Sequence, residues 1–272
     1  MQNHSEIAEF LWKIADLIKD DYDAKDYEDV ILPFTLLRRL DCVLQPTRRV
    51  VQEDAEKYKT VPAGVRKDLL TRAAGQNFYN TSPYSLDELI KRPNDLTQNF
   101  SAYLAGFSAN VKDILYNFSG GEEKGLAPIY ETLARKRLLF KVTQAFTEVD
   151  LSPETVDNHG MGTIFEYLIR KFKEASNEAA GQFYTPRDII RLMVKLMFES
   201  DRAKLAGEKL VGIYDPACGT GGMLTIAKEY LLGAINPALE IYLYGQELNE
   251  KTYAIAKADM LMKGEDPENI KR

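Results

Sequence analysis

The chain has 272 residues, 45% of them hydrophobic, and a formal net charge of -6. That length and apolar content supply one large core or two ordinary ones, and two domains are expected. The acidic balance argues against a protein that grips nucleic acid over its whole surface, since phosphate neutralisation needs clustered Lys and Arg. Any DNA-facing surface is then local or lies on a partner. Cys42, Cys218, His4 and His159 are the only cysteines and histidines, and their spacing matches no metal-ligand pattern, so no metal site is predicted. The amino terminus is polar and runs into an amphipathic pattern, with no apolar signal region and no bilayer-length run, which predicts the reducing cytoplasm and no membrane.

Ile7, Phe10, Leu11, Ile14, Leu17 and Ile18 recur at helical spacing and predict a first amphipathic helix containing Trp12. A second apolar-rich helix is predicted from about Tyr27 to Leu44, with Val30, Ile31, Phe34, Leu37 and Leu40 inward and Arg38 and Arg39 on a solvated face. From Val50 to Phe146 the pattern stays helical. Ser85-Leu86-Asp87-Glu88 reads as a capping box, Ser119-Gly120-Gly121 as a break, and Gly125 to Pro128 as a loop. Acids are interspersed along this half, so Arg135-Lys136-Arg137 reads as a solvated helix face. No β-type alternation precedes residue 200, and no nucleophile stands with a base. Residues 1–150 are therefore expected to form a helical interaction domain.

The boundary is expected near Asp150-Leu151-Ser152-Pro153, a Ser cap with Pro at a first helical position, and residues 151–272 form the second domain. A helix from about Met161 to Glu174 follows. In Ala180-Gly181-Gln182-Phe183-Tyr184-Thr185-Pro186-Arg187-Asp188, Thr185 is expected to cap a helix that starts at Pro186. Ile189, Leu192, Met193, Leu196 and Met197 are its predicted buried face. Such a start leaves backbone N–H groups able to take a carboxylate beside the aromatic pair Phe183 and Tyr184.

Val211-Gly212-Ile213-Tyr214-Asp215-Pro216-Ala217-Cys218-Gly219-Thr220-Gly221-Gly222 is a β-prone run that ends in an acid, turns through glycines and opens into a helical pattern. That is how an α/β sheet presents a ligand at a strand's carboxyl end. A phosphate-binding P-loop would need Lys and Ser/Thr where Met223 and Leu224 stand. A dinucleotide fingerprint would put its third glycine at Leu224, so only two of its three glycines are present. Asp215 is the acid at the mouth of that turn. Glu240 to Gly245 is a second β-run, Asn249 caps a helix from Lys251 to Lys263, and Glu247 stands where an acid accepts hydrogen bonds from both ribose hydroxyls of an adenosine cofactor.

Asp215-Pro216-Ala217-Cys218-Gly219-Thr220-Gly221-Gly222 resembles the first motif of amino-group DNA methyltransferases. Gln182-Phe183-Tyr184-Thr185-Pro186-Arg187 is similar to the element that those enzymes carry about thirty residues earlier. Leu11 to Asp16, Asp29 to Asp41 and Gly162 to Arg170 resemble the modification subunit of type I restriction-modification systems. The resemblance implies a helical amino-terminal domain followed by the start of a Rossmann-like S-adenosylmethionine-dependent methyltransferase domain. It further implies adenine-N6 methylation of DNA with the base flipped out, beside specificity and restriction subunits. A protein-glutamine acceptor and a non-catalytic helical interaction protein are the alternatives. The family's Asn-Pro-Pro-Phe/Tyr segment is absent, and Asn236-Pro237 precedes the second strand, so no catalytic residue is assigned. Together with the stop just after Asp266 to Ile270, this predicts an amino-terminal fragment with a sheet of two strands.

Overall fold

A computed structural model describes residues 4–118, 125–176 and 185–272. The chain divides into two compact units, Met1–Glu178 and Ala179–Arg272. Gln182, Phe183 and Tyr184 and the break at Ser119–Gly121 lie outside the described residues.

The first unit is helical: α1 (His4–Lys13), α2 (Tyr27–Leu44), α3 (Arg48–Lys57), α4 (Ala63–Ala74), α5 (Leu86–Ile90), α6 (Leu96–Ala105), α7 (Ala109–Asn117), α8 (Ala127–Arg135), α9 (Leu139–Thr147) and α10 (Asn158–Ala175). Its centre is α2, whose Val30, Ile31, Leu32, Phe34, Leu36, Leu37 and Leu40 are all buried. The Phe34 ring packs against Phe100 and Phe146, each with centroids 5.5 Å away, while Trp12 of α1 meets Phe172 of α10 at 5.2 Å. The Ser85 cap is present, with Ser85 Oγ accepting the Glu88 N–H at 3.1 Å, while Glu88 Oε1 accepts from Lys91 Nζ at 2.6 Å. Arg135, Lys136 and Arg137 are exposed, though only Arg135 is helical and Arg137 turns the chain at φ 59°.

Two expectations for this unit are corrected. Arg38 and Arg39 are buried, 9% and 1% exposed, because they serve the segment between α9 and α10. Arg38 donates to Val149 O (2.7 Å), Thr147 O (3.0 Å) and Asp87 Oδ2 (3.0 Å). Arg39 donates to Leu151 O (2.6 Å), Val156 O (2.8 Å) and Asn158 Oδ1 (2.8 Å). Buried carbonyls need donors, and a guanidinium carries five in a fixed fork, so an arginine pair can satisfy a whole loop. Second, Ser152-Pro153 starts no helix: α10 begins five residues after Pro153, capped by Asp157 Oδ1 on the Gly160 N–H (2.6 Å). In this unit Ile164, Phe165, Leu168 and Ile169 bury the α10 face against α1 and α2.

The second unit contains α11 (Arg187–Glu199), α12 (Arg202–Leu205), β1 (Leu210–Asp215), α13 (Gly222–Tyr230), β2 (Glu240–Gln246), α14 (Glu250–Met262) and β3 (Ile270–Lys271). The strands are parallel in the order β1-β2-β3, with Asp215 opposite Gly245 and Gly245 opposite Ile270. The sheet thus has a third, two-residue strand where two strands were expected. One face is sealed by Leu224 and Leu231 from the first crossover and Ala256 and Met260 from α14, packed on Ile241, Leu243 and Ile270. Leu210, Tyr214, Tyr242 and Tyr244 line the other face and are exposed.

The inward face of α11 differs from expectation. Ile190 and Val194 are buried against Ile226 and Ala227 of α13, whereas Ile189, Leu192, Met193, Leu196 and Met197 are 43–70% exposed. Apolar periodicity identifies an amphipathic helix but not which apolar stripe meets a neighbour. The start is also one residue later than expected: Pro186 (φ -54°, ψ 136°) is the cap, its carbonyl accepts the Ile189 and Ile190 N–H groups, and Thr185 makes no cap hydrogen bond. Among the described residues no helix is long and apolar enough to cross a membrane.

Candidate functional site

The parallel register brings the carboxyl ends of β1 and β2 side by side, so Asp215 and Glu247 emerge as neighbouring acids at one edge of the sheet. Between Asp215 and α13 the chain turns through Gly219 at φ 55° and Gly221 at φ 88°, a region that L-side chains rarely adopt. A Cβ on Gly219 would meet no protein atom within 4 Å, so the loop opens outward there. On Gly222, the first residue of α13, a Cβ would sit 3.4 Å from Ile190 Cδ1. Ile190 in the first turn of α11 therefore packs on the loop, while Thr185 and Pro186 just before that helix are exposed and Arg187 is half-buried.

Asp215 Oδ1 accepts the Ala217 N–H at 3.0 Å and shapes the turn through exposed Pro216 and Ala217. The Cys218 N–H donates to Gln246 O (2.9 Å) and the Gly221 N–H to Cys218 O (2.8 Å). Glu247 is the hinge of the site: its Oε2 accepts the Gly219 N–H at 3.1 Å and its Oε1 the Asn249 N–H at 2.7 Å. Asn249 caps α14 through Thr252 N–H (2.9 Å). Thr220, half-buried, sits between the two left-handed glycines. A hollow of about 210 Å³ lies beside Asp215 and Pro216, floored by Val194, Phe198, Ile213 and Met223.

The Cys218 thiol is buried under the loop, and burial first, then the neighbouring Asp215 and Glu247 carboxylates, push it up to about 12. A thiol held so firmly protonated is a packing group, not a nucleophile. What lets it pack is Gly245 of β2, where a Cβ would lie 2.8 Å from Cys218 Sγ and 2.8 Å from Ile270 Cδ1. Sequence reading passed over that glycine, although a glycine inside a strand pattern is the signal of a close approach. It also passed over Thr225, Asp259 and Lys263 beneath the loop, whose type and spacing carry no motif.

A helical unit followed by parallel strands and crossover helices, with an acid-and-glycine loop facing a second-strand acid, defines the opening of a methyltransferase domain behind a helical one. Residues 7–146 match the family model of the HsdM N-terminal domain, and residues 156–272 match that of the N-6 DNA methylases. The chain belongs to the HsdM family, the methylase subunits of type I restriction enzymes. It is 26% identical over 263 residues to the type I restriction enzyme MjaIX methylase subunit of Methanocaldococcus jannaschii, covering 93% of this chain and 45% of that one. The EcoEI methylase subunit of Escherichia coli is 31% identical over 148 residues, 52% of this chain and 28% of the relative. The solved type I restriction-modification methyltransferase subunit of Streptococcus thermophilus shares the fold, with a TM-score of 0.72 at 20% identity over 100% of this chain and 58% of that one. The chain thus spans about half the length of such relatives. The two family models meet between residues 146 and 156, so α10 belongs to the methylase model while packing with the helical unit.

Proposed function

We propose that this chain is the S-adenosylmethionine-binding part of a DNA adenine-N6 methyltransferase subunit, acting with a specificity subunit and a restriction subunit on double-stranded DNA from which the target adenine is flipped. The observation that carries the reading is the state of Glu247. A carboxylate offers about four acceptor sites, and the two backbone N–H groups of Gly219 and Asn249 occupy one on each oxygen. Each oxygen retains capacity for one ribose hydroxyl, and the two protein bonds fix the carboxylate so that little order remains to be imposed on binding.

The remaining residues fit the same group. Asp215 places negative charge at the mouth of the loop, where a sulfonium or ammonium is favoured and a nucleotide phosphate is repelled. The open side of Gly219 admits backbone approach, and the entry of α11 through Thr185, Pro186 and Arg187, with Gln182, Phe183 and Tyr184 before it, would receive the methionine carboxylate and flank its pocket. When bound, S-adenosylmethionine supplies an electrophilic methyl group; the residues of this chain bind and orient it. Adenine is chosen as acceptor because the N-6 DNA methylase model covers the whole of this unit. Titration calorimetry provides the test: S-adenosylmethionine is expected to bind, with NAD and ATP giving no heat. Preferential binding of either nucleotide would overturn the proposal.

A further inference from the structure

The glycine loop is held from both shoulders. At its first shoulder Glu247 takes the Gly219 N–H. At its second, the Gly221 carbonyl accepts the Thr225 N–H at 3.2 Å and the Thr225 hydroxyl at 3.3 Å. Thr225 Oγ1 in turn accepts from Lys263 Nζ at 2.9 Å, just beyond the end of α14, and Lys263 pairs with Asp259 one turn earlier. The Lys263 and Asp259 side chains are only 8% and 4% exposed.

The chemistry of these groups gives the chain of bonds one direction. An ammonium has three donors and no acceptor, so the Lys263 contact uses a lone pair of the Thr225 oxygen and leaves the hydroxyl hydrogen for the Gly221 carbonyl. Burying a charged pair here contributes little net stability compared with an apolar pair of similar volume. Its effect is on geometry: it fixes the orientation of a carbonyl in a left-handed residue that makes the edge of the loop. We infer that Thr225 and Lys263 are positioning residues, through which α14 braces the glycine loop in its cofactor-ready shape. The inference rests on the S-adenosylmethionine reading above and assigns these residues no contact with the cofactor.

Calorimetry with S-adenosylmethionine and amide hydrogen exchange, both on the 272-residue chain, test it. Thr225→Val keeps the shape and removes the hydroxyl. It is expected to raise the S-adenosylmethionine Kd about tenfold, the size of one hydrogen bond to a fixed group. The Gly221, Gly222 and Met223 amides should exchange faster, with β2 unchanged, and Thr225→Ser should restore both properties. Lys263→Met should act in the same direction; if it fails to fold, the Val and Ser variants decide. Parent-like affinity together with parent-like loop exchange in Thr225→Val would overturn the inference, and so would faster exchange spread evenly over the unit, which marks packing alone. Should the parent show no heat with S-adenosylmethionine, the cofactor reading fails, and loop exchange alone decides whether the brace exists.

Discussion

Replacing Glu247 with Gln removes a charge while nearly preserving shape, and the hydrogen bonds show why the change is not silent. A glutamine amide has one acceptor oxygen and one NH₂ donor. Both Glu247 oxygens accept backbone N–H groups, from Gly219 at 3.1 Å and from Asn249 at 2.7 Å. Either amide orientation therefore turns a donor toward a donor. The shorter Asn249 bond is expected to persist, leaving Gly219 without its anchor and one ribose hydroxyl without an acceptor. A lost charge-assisted hydrogen bond is worth about 1.5 to 3 kcal/mol, roughly 10- to 150-fold in Kd. Titration calorimetry of parent and Glu247→Gln with S-adenosylmethionine reads that ratio. Scanning calorimetry without cofactor separately reads the loop anchor, expected to lower Tm. A variant Kd equal to the parent's, with Tm lowered, would place the ribose elsewhere and leave Glu247 a purely structural acceptor.

Asp215→Ala is expected to weaken S-adenosylmethionine binding, since it removes both the anionic group at the loop mouth and the acceptor of the Ala217 N–H; equal affinity in calorimetry would sink the charge assignment. Arg39→Met should destabilise the helical unit by about 3 kcal/mol or more, because Leu151 O, Val156 O and Asn158 Oδ1 lose one donor group together, and an unchanged urea midpoint would refute it. Cys218, raised to about 12, should resist iodoacetamide at pH 8 until denaturant is added, which peptide mass spectrometry detects. Because its folded value lies above the unfolded one and the thiol ionises to an anion, its stability contribution is full below about pH 8.5 and declines as pH rises toward 12. A Cys218→Ala chain should therefore lose less stability between those limits.

How far each element could be read depends on where its determinants lie. Runs whose signal is local were legible: the Ser85 and Asn249 caps, the two main strands, and the acid–glycine turn are set by residues within a few positions of one another. Determinants from distant segments were not. Arg38 and Arg39 appear as ordinary helix charges until the carbonyls of residues 147–156, more than a hundred positions away, are brought to them. Likewise α11 carries two apolar stripes, and only the position of α13 selects Ile190 and Val194 over the richer one.

The site divides along the same line. Its front, Asp215, Gly219, Gly221 and Glu247, is fixed by backbone requirements at a strand end and so leaves a motif. Its back is built from Gly245, Thr225, Asp259 and Lys263, single residues on three elements whose roles exist only once β2 and α14 are packed. A Cβ at Gly245 would press on Cys218, and a missing hydroxyl at Thr225 would free Gly221; each displaces the loop without altering any residue of the motif. On the proposed reading, cofactor affinity is expected to depend on residues that a motif comparison ignores, and a relative keeping the acid–glycine turn while losing these supports is expected to bind S-adenosylmethionine more weakly despite its intact motif.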